Sequence, residues 1–227
     1  WLPLAHPAAP IPASAVLSGA MIKAGLLGWL RYLPVGQTEL SAWGNLFLVL
    51  GLVTAFYGVV VGLMQQRSKA VLAYSSISQM GLLTCALGAG LLVPTAWTVI
   101  LPAILLYVLH HGFSKACLFL SVGVAPHLAG GGWLQRLSRL GLVIPALAIA
   151  GAPLTIGALG KGALKDAFAT LPQSWAATMY VLLPLAGIGT TFLMARFLYL
   201  VWPRAQVVQA RIKWPVLISW SGSLITD

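Results

Sequence analysis

The chain has 227 residues, of which 59% are hydrophobic and only 7% are charged, and its mean hydropathy is +0.94. Apolar runs long enough to cross the hydrocarbon layer recur along nearly the whole length, which excludes a soluble globular protein and indicates an integral membrane protein. Thirteen Lys and Arg residues stand against three acids, so the net charge is +10. Because most of the basic residues lie in short gaps between apolar runs, the excess indicates membrane orientation, not nucleic-acid binding.

Hydropathy and helix-breaking residues predict an all-α integral membrane protein, a polytopic bundle of roughly six to seven transmembrane helices in one transmembrane domain. The opening WLPLAHPAAPIP contains four prolines and is expected to form a loop. The predicted helices then follow at about 13–33, 42–65, 69–92, 96–123, 139–170, 175–202 and, as a partial helix, 213–227. The chain opens within this loop and stops within an apolar run, so we expect it to be a fragment of a longer protein.

The predicted helix at 139–170 is longer than one membrane crossing needs, and it carries GAPLTIG at 151–157. Proline removes a helical hydrogen bond and clashes with the preceding turn, so we expect this helix to be broken near 151–157. The backbone groups that a break frees must be covered by protein or water. Broken helices recur at ion sites, where those groups stabilise charge.

The basic residues predict the orientation when the loops are assigned to alternate sides of the membrane. One side collects Arg67, Lys69, Arg136, Arg139, Arg204, Arg211 and Lys213. The other side has Arg31, which Glu39 offsets. The positive-inside rule therefore places the loops near 67–69, 124–139 and 203–213 in the cytoplasm, and we expect a bacterial inner membrane.

Four ionisable side chains fall well inside predicted spans, namely Lys23, His111, Lys115 and Lys161. A lysine at the bilayer centre costs about 3 kcal/mol even on the lenient insertion scale. Such groups are tolerated where they face one another through a hydrated interior, which is also what a proton relay requires. Tyr107 precedes His111 by four residues, as His111 precedes Lys115, so the three share one helix face.

Polar residues on two helices are candidates for supporting this relay. They are Ser18, ahead of Lys23, and Ser75, Ser78 and Gln79 on the third predicted helix. Tyr107, on the helix of His111 and Lys115, is a further supporting candidate. These side chains also fit ordinary hydrogen bonding between membrane helices. Each buried lysine likewise fits a snorkelling side chain or a structural hydrogen bond to a broken backbone.

The sequence lacks the patterns that are typical of several kinds of metal, cofactor and phosphate site. Cys85 and Cys117 lie inside apolar runs, the histidines lack zinc spacing, and neither a haem-binding CxxCH nor a phosphate-binding glycine loop occurs. We therefore expect no metal, no cofactor and no redox chemistry in this chain. His110 lies about 100° from the Tyr107 face, so we expect it to be an interhelical hydrogen-bond donor, and His6 is assigned no role.

Four segments carry a resemblance to a known family: WLPLAHPAAPIPASAVLSGAMIKAG, RSKAVLAYSSISQMG, HHGFSKACLFLSVG and GAPLTIGALGKGALKD. Over residues 1 to about 200 the chain resembles the antiporter-like membrane subunits of respiratory complex I, Mrp-type cation/proton antiporters and membrane-bound hydrogenases such as formate hydrogenlyase, most of all the hydrogenase branch. The resemblance implies the C-terminal half of an inverted-repeat transporter fold. It also implies that Lys23 links two half-channels, that His111 and Lys115 occupy the second, and that Lys161 ends the route at the broken helix.

Three functions remain open on these grounds. The first is a proton-translocating subunit of an NADH:quinone oxidoreductase-type or hydrogenase-type complex, in which protons pass through Lys23, the His111 and Lys115 pair, and Lys161. The second is a subunit of a Na⁺(cation)/proton antiporter, and the third is a membrane scaffold that transports nothing. The expected partners are other membrane subunits, the lipid bilayer, protons and, in the second case, Na⁺, but not nucleic acid.

Overall fold

The computed structural model describes residues 1–124 and 133–202, which form helices and the turns between them. The predicted all-helical class is confirmed. In chain order the described elements are α1 (Leu2–Ala8), α2 (Ile11–Val16), a π-helical turn (Leu17–Met21), α3 (Ile22–Tyr32), α4 (Ser41–Leu63), α5 (Ser68–Leu92), a 3-10 turn (Pro94–Ala96), α6 (Trp97–Val124), α7 (Trp133–Ala150), α8 (Ile156–Ala169) and α9 (Gln173–Val201). The predicted helix at 213–227, the loop near 203–213 and residues 125–132 of the loop near 124–139 lie outside the described residues.

Five helical segments of the described chain are long and apolar enough to cross a membrane. They are Ile11–Tyr32, Ser41–Leu63, Ser68–Leu92, Pro94–Val124 and Gln173–Val201. The first of them contains α2, the π-helical turn and α3 in one continuous run. The predicted long helix at 139–170 is divided between α7 and α8. The chain is therefore an integral membrane protein.

The N-terminal segment is helical, so the loop that its prolines predicted is wrong. Pro3 lies in the first turn of α1, where a backbone N–H has no helical partner to lose. Pro7 lies inside α1, but the helix ends at Ala8, so Pro7 removes only a bond near the helix end. Pro10 then caps α2 in an extended conformation. These prolines set the ends of two short helices.

A second interruption separates α7 from α8. The chain leaves helical geometry after Ala150, and Gly151 has φ +81°, a left-handed conformation that glycine adopts without steric cost. Leu154 also has a positive φ, +68°, which is strained for a branched side chain. The Thr155 side chain caps α8 by accepting a hydrogen bond from the Ala158 N–H. The break covers residues 151–155, inside the GAPLTIG segment.

Helix α5 is closely packed against α4 through glycines. Gly44, Gly51 and Gly58 recur on α4 at intervals of seven residues, and all three are buried. A Cβ on Gly51 would lie 2.6 Å from the Gly81 carbonyl oxygen, and a Cβ on Gly81 would lie 2.6 Å from the Ala55 nitrogen. Small residues allow two helix backbones to approach this closely. The close contact occupies one face of α5 and leaves its Ser75 and Gln79 side for other helices.

Contacts between helix ends show which of the described loops lie at each end of the bundle. Arg196 of α9 donates to the Gln65 carbonyl at 3.2 Å, so the end of α9 lies beside the loop that precedes Lys69. At the other end, Trp175 donates to Asn45 Oδ1 at 2.7 Å. The basic residues Arg67, Lys69 and Arg196 therefore share one end. Arg204, Arg211 and Lys213 lie outside the described residues.

Replacement of Gly81 by Ala is expected to lower the thermal stability of the purified protein in detergent. Its Cβ would overlap the α4 backbone, which cannot move without separating the two helices, at a cost of about 1–3 kcal/mol. Gly25→Ala in α3 is the matched control, because nothing lies within 4 Å of its added Cβ and alanine favours helix. Equal unfolding temperatures for the two variants would contradict the packing described here.

Candidate functional site

Lys23 lies in the first turn of α3, directly after the π-helical turn, and only 8% of it is exposed. Its Nζ donates to the backbone carbonyl of Ser18, which belongs to that turn. π-helical turns rearrange the carbonyls of a helix and frequently occur at functional sites. The side chain is held inside the protein, so Lys23 does not snorkel to the membrane surface.

Lys115 is fully buried in the contact between α6 and α5. Its Nζ donates to the Leu72 carbonyl at 2.8 Å and to the Ser75 hydroxyl. The Ser75 hydroxyl in turn donates to the same Leu72 carbonyl at 3.3 Å. One turn of α5 therefore supplies both acceptors for this lysine.

Ser76 connects the surroundings of the two lysines. Its hydroxyl donates to the Leu72 carbonyl at 3.1 Å, the oxygen that Lys115 also contacts. The Ser18 and Ser76 hydroxyls lie 2.9 Å apart and share a hydrogen bond that either can donate. Lys23 binds the Ser18 carbonyl, and Ser76 meets the Ser18 hydroxyl. Ser76 and Lys115 then share the Leu72 carbonyl, so polar contacts link the surroundings of the two lysines through two backbone carbonyls. Sequence reasoning missed Ser76, although it lies one helical turn after Leu72 on the same face.

His111 and Tyr107 are fully buried on α6, as Lys115 is. Neither ring nitrogen of His111 has a hydrogen-bond partner among the described residues, but the charges of Lys23 and Lys115 act on the ring. Tyr107 is engaged elsewhere, because its hydroxyl donates to Gln79 Oε1. A proton can therefore pass between these three α6 side chains only through water or a change of partner.

Gln79 joins three helices. It accepts the Tyr107 hydroxyl of α6, and its Nε2 donates to the Thr190 hydroxyl of α9 at 2.9 Å. The Ser78 hydroxyl is buried without a partner in the described part of the chain. Of the predicted supporting residues, Ser18 and Ser75 contact the lysines, Gln79 contacts Tyr107, and Ser78 contacts neither group through its hydroxyl.

Lys161 lies in α8, just after the break, and is half-buried. Its Nζ donates to the Ala150 carbonyl, the last of α7, at 2.6 Å. A Cβ on Gly151 would lie 2.7 Å from Lys161 Cδ, so the lysine stem passes directly over the glycine. A cation at a helix C-terminus also interacts favourably with the helix dipole. Lys161 thus makes a hydrogen bond that joins the start of α8 to the broken end of α7.

The described part of the chain gives these lysines no carboxylate partner. Its two acids, Glu39 and Asp166, are exposed, and Glu39 accepts a hydrogen bond from Ser41 at 2.7 Å. No cluster of three or more His, Cys, Asp or Glu that could hold a metal ion occurs among residues 1–124 and 133–202. Within the described residues, the site is a set of buried or half-buried amines bound to neutral oxygens, beside the His111 ring, whose nitrogens have no hydrogen-bond partner there.

Comparison with known protein families assigns the chain to one of them. The family model described as NADH:quinone oxidoreductase/Mrp antiporter, transmembrane, matches residues 1–194. The chain belongs to this family.

Similarity to individual proteins agrees with this family. The chain is 33% identical over 223 residues to the antiporter subunit mnhA2 of Staphylococcus aureus, covering 88% of this chain and 28% of the relative. It is 31% identical over 206 residues to formate hydrogenlyase subunit 3 of Escherichia coli, covering 83% of this chain and 33% of the relative. The structure of the Mrp complex from Dietzia sp. matches with a TM-score of 0.81 and 28% identity, over 99% of this chain and 25% of that chain. The chain therefore spans about a quarter to a third of the length of these relatives.

Two further residues lie near the site, since the charges of Lys115 and Lys69 act on His6, although no role was predicted there for His6 or Lys69. His6 is fully buried and stacks on Phe119, with ring centroids 4.3 Å apart and planes inclined by 16°. Lys69 donates to the Ala9 carbonyl at 2.7 Å, where α1 ends. Sequence reasoning assigned His6 to a loop and counted Lys69 only as an orientation signal. A search for lysines that could reach a helix interruption would have found Lys69, since it binds the end of α1 as Lys161 binds the end of α7.

Replacement of Lys161 by Met is expected to loosen the break between α7 and α8. Methionine keeps the apolar stem over Gly151 but removes the donor to the Ala150 carbonyl, a hydrogen bond of about 2 kcal/mol. Hydrogen–deuterium exchange of peptides covering 147–158 should become roughly tenfold faster or more. Lys165→Met is the control, since Lys165 lies one turn later over the Tyr180 ring and outside the break. Identical exchange in the two variants would show that Lys161 does not hold the break.

Proposed function

We propose that this chain moves protons across the membrane as part of an antiporter-like subunit of a multisubunit complex, with no cofactor of its own. The observation that carries the proposal is the placement of Lys23 and Lys115, both buried inside spans. Their surroundings are linked through Ser18 of the π-helical turn and through Ser76 and the Leu72 carbonyl of α5. Ionisable groups are costly at membrane depth and mark proton and ion pathways there. The similarity to formate hydrogenlyase subunit 3 and to the Mrp complex supports other membrane subunits as partners.

The proposed route uses three positions in succession. Lys23 exchanges a proton with the His111 and Lys115 pair, and that pair exchanges it with Lys161 at the break. Lys161 then exchanges protons with the periplasmic side, while the basic end of the bundle faces the cytoplasm of a bacterial inner membrane. Water completes the steps for which no direct hydrogen bond exists, since a hydrated interior is what lets such residues reside in a membrane.

A Na⁺(cation)/proton antiporter is the second candidate, and the similarity to mnhA2 favours it. Hard cations such as Na⁺ prefer carboxylate, carbonyl and water oxygens. The buried groups described here are basic, and the described acids are exposed. In an antiporter this site would therefore serve the proton half of the exchange, and Na⁺ would bind elsewhere in the complex.

Replacement of Lys23, Lys115 or Lys161 by Ala in the full-length protein, within its membrane complex, is expected to reduce coupled proton movement. We expect a fall of about a hundredfold for each, the low end of what one positioned proton-transfer group contributes. The measurement is proton uptake by proteoliposomes that contain a pH-sensitive dye. Lys165→Ala is the control, because Lys165 is exposed on the same helix as Lys161. Full coupling in all three variants would reject the relay and favour a scaffold.

Removal of Na⁺ separates the two transport candidates. If the complex is a redox-coupled proton pump, proton uptake driven by its electron donor continues in Na⁺-free buffer. If it is an antiporter, a Na⁺ gradient alone drives proton movement without any electron donor. Proton uptake that requires the electron donor and is unaffected by a Na⁺ gradient would exclude the antiporter.

A further inference from the structure

The proposed route has a gap between its centre and Lys161. Lys115 is bound to α5, whereas Lys161 is bound to the Ala150 carbonyl of α7. Tyr107 of α6 lies against Gly160 of α8, but its hydroxyl donates to Gln79. A protonatable group at the contact between α6 and α8 would divide this step into two shorter transfers.

His110 occupies this contact. It is 5% exposed, and its ring lies edge-on to Tyr107 with centroids 5.4 Å apart and planes inclined by 87°. A Cβ added to Gly157 would lie 3.0 Å from His110 Cε1, and one added to Gly160 would lie 3.4 Å from Cδ2. The Cε1, Nε2 and Cδ2 edge of the imidazole therefore lies against two glycines of α8, whose missing side chains leave room for it.

The other side of the ring is polar and unsatisfied. His110 Nδ1 is buried and has no hydrogen-bond partner among the described residues, so the expected role of simple interhelical donor does not account for it. A buried polar atom without a partner is costly, and such atoms are retained where water or a proton visits them. The charges of Lys161 and of Lys23 both act on His110, and His110 in turn acts on His111. Its ring thus lies within electrostatic reach of both ends of the gap.

We propose that His110 carries protons between the central group of Lys23, His111 and Lys115 and the terminal Lys161, an inference that rests on the proposed function. One ring nitrogen accepts a proton from the central group, directly or through water, and the ring becomes imidazolium. The other nitrogen then releases a proton to the neutral amine of Lys161, which becomes ammonium, and the ring returns to its neutral form. Imidazole suits this step because its two nitrogens bind and release a proton on opposite sides.

Replacement of His110 by Gln tests the proposal, because glutamine keeps a polar side chain of similar reach but cannot be protonated. In proteoliposomes of the full-length complex we expect coupled proton uptake to fall about a hundredfold while assembly is retained. Uptake within twofold of wild type would overturn the inference. Lys161→Ala in the same experiment tests the relay separately from the role of His110. Loss in Lys161→Ala with none in His110→Gln rejects only the role of His110, whereas no loss in Lys23→Ala, Lys115→Ala and Lys161→Ala rejects the relay itself.

Chemical rescue distinguishes proton transfer from a structural role. In His110→Ala, added imidazole should restore at least part of the lost rate, whereas pyrazole, a ring of the same size but a far weaker base, should not. Equal effects of the two compounds would overturn the proposal.

Steric restriction of the ring gives a second, independent test. Gly160→Ala would place a Cβ 3.4 Å from His110 Cδ2 and 3.3 Å from Tyr107 Cδ2, which confines the imidazole without removing it. Gly162→Ala on the same helix adds a Cβ with nothing within 4 Å and is the matched control. We expect slower proton uptake in Gly160→Ala alone. Equal rates in the two glycine variants would contradict a transfer step at this contact.

Discussion

Lysines held by backbone carbonyl oxygens are the feature on which the rest of this site depends. Lys23 binds the Ser18 carbonyl, Lys69 that of Ala9, Lys115 that of Leu72 and Lys161 that of Ala150. A carboxylate partner would favour the charged form of a lysine and oppose release of its proton. A neutral carbonyl accepts a hydrogen bond from an ammonium and from a neutral amine alike. These lysines can therefore stay in place while their protons are exchanged.

Three of these carbonyls, all except that of Leu72 inside α5, are available because the helices are interrupted. A helix end leaves carbonyl groups without intrahelical partners, and in hydrocarbon each unsatisfied group is costly. The ends of α1 and α7 supply the acceptors for Lys69 and Lys161, and the π-helical turn supplies the one for Lys23. A buried amine and a freed carbonyl would each destabilise the protein alone, but together they satisfy one another. Proline and glycine in these spans thus prepare the lysine sites as well as shaping the backbone.

The sequence was sufficient to find the lysines but not their connections. Depth in an apolar run identifies Lys23, Lys115 and Lys161, because a charge there is too costly to be incidental. Helical spacing gives angles within one helix, such as the 100° between His110 and His111, but not the rotation of that helix against its neighbours. The bridge through Ser76 and the contact of His110 with α8 depend on that rotation. The helix at Leu2–Ala8 was missed because four prolines predict a loop unless their positions at helix ends are known.

The glycine contact between α4 and α5 determines which parts of the site are able to move. Backbone atoms 2.6 Å from a hypothetical Cβ at Gly81 leave α5 no room to slide or rotate against α4. The hydroxyls of Ser75 and Ser76 and the Leu72 carbonyl are therefore fixed acceptors. The moving parts must then be the long side chains that meet them and the rings on α6. A fixed row of acceptors therefore restricts the Lys115 amine to a few discrete positions beside α5.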